Sequence, residues 1–456
     1  MTTTMTADRE RGQHWGIGSF TRSEAEQLRV SLARRMAGKL VSVLNLLLEH
    51  GSDDVRRAAS GTLVAVRGFA PDCALAVFTH PACAYEVERL VQAFSHAKAS
   101  GRRVDEASLL THGFGRLIRG VQASSGETVE WVSDGVEVLP FIGLVLSADV
   151  GDRVRIETRG AHISVTSALG SCEFEREQLI GEISTARCRP ARDSWVRAMP
   201  LFRVGGIGMH IDIVDPAFAT QWIPQARFSG ASVDAAQESD LTTWTEALSD
   251  AAAVVEEITP ATASMMGMLV RSLVPVVARD PALACSMSDS ALPGAIMTTI
   301  DGPAVLAESL VHEFRHNLLH QLEQAYPLYE SGSSTEAKFY SPWRNDPRPL
   351  HGILHALFVF LDVCAIHAGV QRGSAHDSHA RHDSAVRLAG NVQRIEAALQ
   401  EFRTHARLTE FGVGFVDGIE ACWRKFDADV AMLSADARRE ASEQLTAHRL
   451  AWSARG

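Results

Sequence analysis

The chain has 456 residues, enough for two or three domains at about 150 residues each and for a core that needs no disulfide or metal support. Hydrophobic residues make up 46% and charged residues 22%, and 34 glycines with 16 prolines are too few for collagen-like or low-complexity chains. Against 44 basic side chains stand 55 acidic ones, a net charge of −11, whereas a general nucleic-acid or anionic-membrane binder carries a basic excess.

Residues 1–19, opening MTTTMTADRERGQHW, are polar and charged with no apolar h-region. They read as a disordered tail and not as a signal peptide. Helical text starts at Phe20, where Thr21 and Glu24 have the spacing of a capping box. Leu28, Leu32, Met36, Leu40, Val43, Leu44 and Leu47 then form an apolar stripe of helical period. Residues 20–124 are therefore predicted to be a helical N-terminal region. Between 125 and 215 the texture changes: ETVEWVS, DRVRIETRG, AHISVTSA and GMHIDIVD alternate apolar and polar residues between Gly and Asp punctuation. That is the pattern of strands and turns. Helical text resumes at 240, in LTTWTEALSDAAAVVEEI and TASMMGMLVRSLVPVVA, and is expected to run on to 456, interrupted by a polar, His-rich loop at 373–383. SDSALPGAIMTTI (288–300) has the look of a strand entering the next helix. The expected fold class is α+β and predominantly α-helical, with a zincin-like HExxH metal helix and a β-rich segment in the N-terminal half.

Seven cysteines form no CxxC pair and are odd in number, so neither a disulfide framework nor a cysteine zinc site is expected. The apolar run Val138–Val145 is far shorter than the ~20 residues of a membrane span. A cytoplasmic protein with reduced cysteines, binding neither nucleic acid nor membrane, is the expectation.

Eleven of the 18 histidines lie at or after position 312, five of them within 312–355. DGPAVLAESLVHEFRHNLLHQLEQA (301–325) reads as one helix with Asp301 as N-cap and Pro303 in its first turn. It contains His312-Glu313-Phe314-Arg315-His316, an HExxH. Two histidines four apart on a helix are ~40° apart around the axis and ~6 Å along it, so both imidazoles reach one ion over that face. Glu313 stands beside the ion, placed to accept a proton or hold a hydrogen bond. A metzincin needs Gly and His at positions here filled by Leu319 and Leu322, which excludes that class. For a third ligand the downstream carboxylates are Glu323, Glu330 and Glu336, none in a convincing helical frame, while His320 reads as a supporting residue. His355 sits in an apolar helix, where a lone imidazole needs a partner, and is preferred to His351 one turn earlier.

AESLVHEFRHNLL (307–319) followed by YSPWRNDPRPLHGILHA (340–356) resembles the HEXXH-motif proteins associated with ribosomally made peptide natural products. The Pro-Trp-Arg-Asn-Asp-Pro-Arg-Pro-Leu string is much more specific than HExxH, and the resemblance is clear over about 285–365. Where many relatives carry Gln this chain has His355, and where they carry His it has Phe360, which cannot ligate. The resemblance implies Fe(II)- and 2-oxoglutarate-dependent hydroxylation of a precursor peptide, usually at a β-carbon. Such an oxygenase needs three protein ligands, here His312, His316 and His355, and three open metal positions. It also needs a fixed cation for the distal carboxylate of 2-oxoglutarate, for which Arg344 and Arg348, held between prolines, are the candidates. The alternatives are a zinc metallopeptidase of HExxH type, which needs no such arginine pair, and a non-catalytic metal protein.

Overall fold

A computed structural model describes residues 2–17, 20–100, 113–126, 128–133, 136–139, 144–160, 162–175, 187–190, 195–198, 201–204, 207–211, 233–236, 241–280, 283–331, 336, 338–373 and 378–454. The chain begins with helices α1 (Thr2–Ile17), α2 (Arg22–His50), α3 (Asp53–Gly68), α4 (Pro71–Phe78), α5 (Pro81–Ser100) and α6 (Gly113–Ser125). Strands follow: β1 (Val129–Val132), β2 (Val136–Leu139), β3 (Leu144–Ser147), β4 (Arg153–Arg159), β5 (His162–Ser167) and β6 (Gly170–Glu175). Next come β7 (Arg187–Pro190), β8 (Val196–Ala198), β9 (Leu201–Val204), β10 (Ile207–Ile211) and β11 (Val233–Ala235). After α7 (Leu241–Ile258) and α8 (Pro260–Leu269) lie β12 (Ser272–Ala278), β13 (Ser286–Met287) and β14 (Ala295–Thr298). The chain then stays helical in α9 (Pro303–Ala325), α10 (Leu350–Arg372), α11 (Ser378–His405), α12 (Glu410–Trp423), α13 (Phe426–Ala431) and α14 (Ala435–Ser453). The fold is α+β and predominantly helical.

Two compact units divide the chain, one of Met1–Ala25, Asp250–Met266 and Gly302–Gly456, the other of Glu26–Ser249 and Gly267–Asp301. In the second unit the stripe from α2 (Leu40, Val43, Leu44, Leu47) joins Val55, Leu63, Val77, Phe78 and Val87 in one apolar cluster. Its sheets have the orders β1-β4-β5-β6-β7, β2-β3-β8 and β13-β14-β12-β10-β9, with β11 paired to β12. β4 alternates buried and exposed residues, as a strand with one wet face must. Gly160, at φ 61°, supplies the left-handed backbone of the tight β4–β5 turn, which closes on the Arg159–His162 pair.

The helical reading of TASMMGMLVRSLVPVVA holds only to Leu269. Ser272–Ala278 is instead a strand parallel to both β10 and β14, with its first five residues buried. A short, β-branched apolar run suits a strand covered on both faces, and periodicity alone does not separate it from a buried helix. Residues 267–301 belong to the β-containing unit.

The first unit packs α9 on α10, α10 on α11, α11 on α14, and α1 on α12. The tail expected over 1–19 is a helix from Thr2 to Ile17, with Trp15 2% exposed and stacked near Phe20. Glycine makes the difference. A Cβ at Gly12 or Gly16 would collide with the carbonyl oxygens of Phe411 and Phe415, and one at Gly414 with that of Arg9. Such a seam lets two backbones approach closely, and Arg9 adds a 2.7 Å ion pair to Asp417. Thr21 and Glu24 do form the capping box, at 2.8 and 3.2 Å. At α9 the N-cap is Gly302, one residue beyond Asp301. Of the polar segment 373–383, residues 374–377 lie outside those described, and from Ser378 the chain is helical. α10 is long and apolar enough to cross a bilayer, with mean hydropathy 2.0, yet 78% of that window is buried.

Replacing Gly414 by Ala should force α1 off α12. Overpacking of this kind costs about 1–3 kcal/mol, read as a lower thermal midpoint together with faster proteolysis within residues 2–20.

Candidate metal centre

α9 buries Leu306, Leu310, Phe314, Leu318 and Leu322, and α10 buries Ile353, Leu354, Leu357, Phe358 and Leu361. The two helices run antiparallel, since Glu308 meets His367 at one end of the pair and Glu323 meets His351 at the other. Their register is fixed by a buried ion pair. Arg315 donates from Nε and Nη2 to the two oxygens of Asp362, each at 2.7 Å, and its guanidinium lies 4.7 Å over the Phe358 ring. The Thr262 hydroxyl, from α8, donates to the same carboxylate at 2.9 Å.

That register faces the histidine stripe of α9 towards α10. The His312 and His316 ring centres are 5.0 Å apart. Nδ1 of His316 is 2.9 Å from Nδ1 of His355. Two donors at that distance can share a proton, or can share one ion: with bonds near 2.1 Å, ligand atoms at about 90° are about 3.0 Å apart. Glu313 is buried, with Oε1 4.0 Å from His312 Nε2. The three histidines expected as ligands therefore lie together, with the glutamate alongside.

The structure adds a second donor set that the spacing did not single out. His320 Nδ1, Glu323 Oε2, His351 Nε2 and His355 Nε2 converge, all within 4.8 Å of one another. Glu323 is the hub, 3.0 Å from His351, 3.4 Å from His355 and 3.9 Å from His320. Glu330 and Glu336 go elsewhere: the first pairs with Arg407, the second with Lys338. A signal for the missed residues existed in the sequence. Positions 312, 316, 320 and 323 advance by four, four and three, one continuous helical stripe, and 351 and 355 repeat the four-residue step.

The electrostatics follow from crowding basic rings around one acid. Burial pushes the Glu323 carboxyl up, but hydrogen bonds from His320, His351 and His355 outweigh it and hold the group well below the usual carboxylate range. The hydrogen bond to Glu323 raises His351 against its own burial. Burial pushes His355 down to about 4 despite Glu323. His316 is also pushed well below its ordinary value, by burial first and then by the neighbouring imidazoles. Neutral imidazole is the metal-binding form, so His316 and His355 are ready ligands at neutral pH.

Arg344 and Arg348 lie in the loop between the two helices. Phe339 and Arg348 close it by exchanging backbone hydrogen bonds, each at 3.0 Å. Both guanidiniums face Asp346, Arg344 Nε and Arg348 Nη1 each at 3.3 Å, and their side chains are 42% and 38% exposed. Trp343 lies flat on Phe360 at 4.7 Å, and Phe360 stands edge-on to His312 at 5.4 Å. The Trp343 indole donates to Asn391 at 3.2 Å. The arginine loop thus reaches the HExxH face through two stacked aromatic rings.

Two results are expected. Asp362→Asn should lower the free energy of unfolding by about 3–5 kcal/mol in denaturant titrations, because it leaves the buried Arg315 charge unpaired. In protein stripped of metal with chelator, acidification from pH 7 to pH 4 should lower the thermal midpoint. His316 and His355 stay neutral in the fold, so the unfolded chain takes up protons first, and their contribution is lost as pH falls from about 6.5 towards 4. His351 has the opposite sign but is half-exposed, and two buried rings outweigh it. The acid-induced drop should shrink in His355→Gln.

No family model matches this chain, and no curated protein matches it.

Proposed function

We propose that this protein is a non-haem Fe(II)- and 2-oxoglutarate-dependent hydroxylase that acts in the cytoplasm on a ribosomally made precursor peptide, at a side-chain β-carbon. The observation that carries the reading is the aromatic link from His312 through Phe360 and Trp343 to a loop whose two arginines turn to one carboxylate. A peptidase has no use for such a pair. The buried neutral imidazoles fit a borderline divalent ion, and His312, His316 and His355 are its proposed holders in a zincin-like arrangement on the HExxH helix. When bound, iron and 2-oxoglutarate would activate dioxygen, one oxygen atom going to the peptide and the other to 2-oxoglutarate, which leaves as succinate and carbon dioxide.

The chain's own residues do the rest. Arg344 and Arg348 would hold the distal carboxylate of 2-oxoglutarate by exchange with Asp346. Asp346 lies in solvent, so giving it up to water costs little, whereas the charge-assisted fork to the cosubstrate is gained in full. Trp343 and Phe360 wall the HExxH face and exclude water beside His312. Glu313, buried next to His312, orients that ring or holds a proton there. The same Glu313 position favours the second reading, a zinc metallopeptidase, in which the carboxylate would take a proton from water.

A short precursor peptide incubated with the iron-loaded protein distinguishes the two. A mass gain of one oxygen that requires 2-oxoglutarate supports the hydroxylase; fragments formed with zinc and without 2-oxoglutarate support the peptidase. Arg344→Lys and Arg348→Lys should each raise the KM for 2-oxoglutarate about tenfold or more, from a lost bidentate pair of roughly 1.5–3 kcal/mol, while iron content stays unchanged. Wild-type KM in both variants would place the clamp elsewhere.

A further inference from the structure

His355 presents its two ring nitrogens to different neighbours: Nδ1 to His316 of the HExxH, Nε2 to Glu323. We propose that His320, Glu323 and His351, with Nε2 of His355 as fourth donor, form a second divalent-metal site on the edge of that ring away from the HExxH pair, the ring giving up its remaining proton to bridge as an imidazolate when both sites are filled. The distances fit one ion. Ligand atoms about 2.1 Å from a common centre are about 3.0 Å apart at a right angle and about 4.2 Å apart when opposite. The three distances to Glu323 Oε2, at 3.0, 3.4 and 3.9 Å, fall inside those limits.

The other oxygen of Glu323, Oε1, is buried and has no hydrogen-bond partner among the described residues. A buried carboxylate oxygen left unpaired is costly unless a further group meets it, and a cation able to take both oxygens is such a group. The donor chemistry selects the ion. Three imidazoles and one carboxylate suit zinc, iron(II), cobalt(II) or nickel(II), and not calcium or magnesium, which prefer all-oxygen sets. Five donor atoms, counting both Glu323 oxygens, leave little room at the ion for substrate, as in a structural site. His351, with half its side chain exposed, gives the ion a path from solvent, while His355 closes the inner side.

An ion here would join α9 to α10 at the end away from Glu308 and His367 and fix the His355 ring. His355 is then held from behind by metal, which keeps its Nδ1 turned to the HExxH edge. The site stands whichever reaction that edge supports, because neither 2-oxoglutarate nor a peptide takes part in it.

The test is cobalt stoichiometry by plasma emission after gel filtration, on the full chain. His312→Ala His316→Ala removes the HExxH pair, and a quadruple variant adding His320→Ala His351→Ala sets the background from surface histidines. The double variant should carry one more tightly bound cobalt per chain than the quadruple one, and cobalt should raise the thermal midpoint of the double variant alone. Glu323→Gln, of nearly unchanged shape, should weaken cobalt binding about tenfold or more in the double-variant background. Equal cobalt in the double and quadruple variants would overturn the second site, as would unchanged affinity in Glu323→Gln, and either result leaves the hydroxylase reading to its own assay.

Discussion

The buried pair between Arg315 and Asp362 is the constraint on which the histidine cluster depends. Two apolar helices packed antiparallel slide past one another at little cost, since one leucine fills a groove about as well as the next. A bidentate ion pair removed from water allows no such latitude, because any shift leaves two unpaired charges in a low-dielectric interior. Asp362 binds Arg315 with both oxygens, takes the Thr262 hydroxyl as well, and so fixes α10 against α9 and α8. Arg315 adjoins His316 in sequence, and Asp362 lies two turns from His355. With that register set, His316 meets His355 and His351 meets Glu323. A slip of one residue would turn the rings away from each other.

The cluster itself is a problem in electrostatics that a metal resolves. Five imidazoles and Glu323 occupy the seam between two helices, and the rings cannot all be protonated there. The protein keeps His316 and His355 neutral by burial, whereas the hydrogen bond to Glu323 raises the half-exposed His351. Divalent ions would replace those protons with charge that every donor can face at once, which would couple metal binding to pH and to the stability of the helix pair.

Much of this could be read from residue spacing. The HExxH places His312 and His316 on one face of one helix, and an imidazole at 355 in an apolar helix points to a partner across a helix interface. Spacing could not say which face of α10 meets α9, so His320 looked like a supporting residue, Glu323 like one of three carboxylates without a helical frame, and His351 like the lesser choice. Their role comes from packing. The misread segments have the same origin. The polar text of 1–19 reads as a tail until Phe411 and Phe415 are laid against Gly12 and Gly16, and Ser272–Ala278 looks helical until its parallel neighbours are known. The arginine loop was legible as rigid, because prolines at 342, 347 and 349 flank its charges, but its sharing of Asp346 was not.

The central claim is that a metal ion lies where His316 and His355 converge. Anomalous diffraction from crystals grown with cobalt, recorded on both sides of the cobalt absorption edge, tests it most directly. The account predicts an anomalous peak about 2.0–2.2 Å from a ring nitrogen of each of these two histidines, with His312 as a further ligand. Anomalous density confined to surface histidines, with the His316–His355 hydrogen bond intact and no peak between the rings, would contradict it.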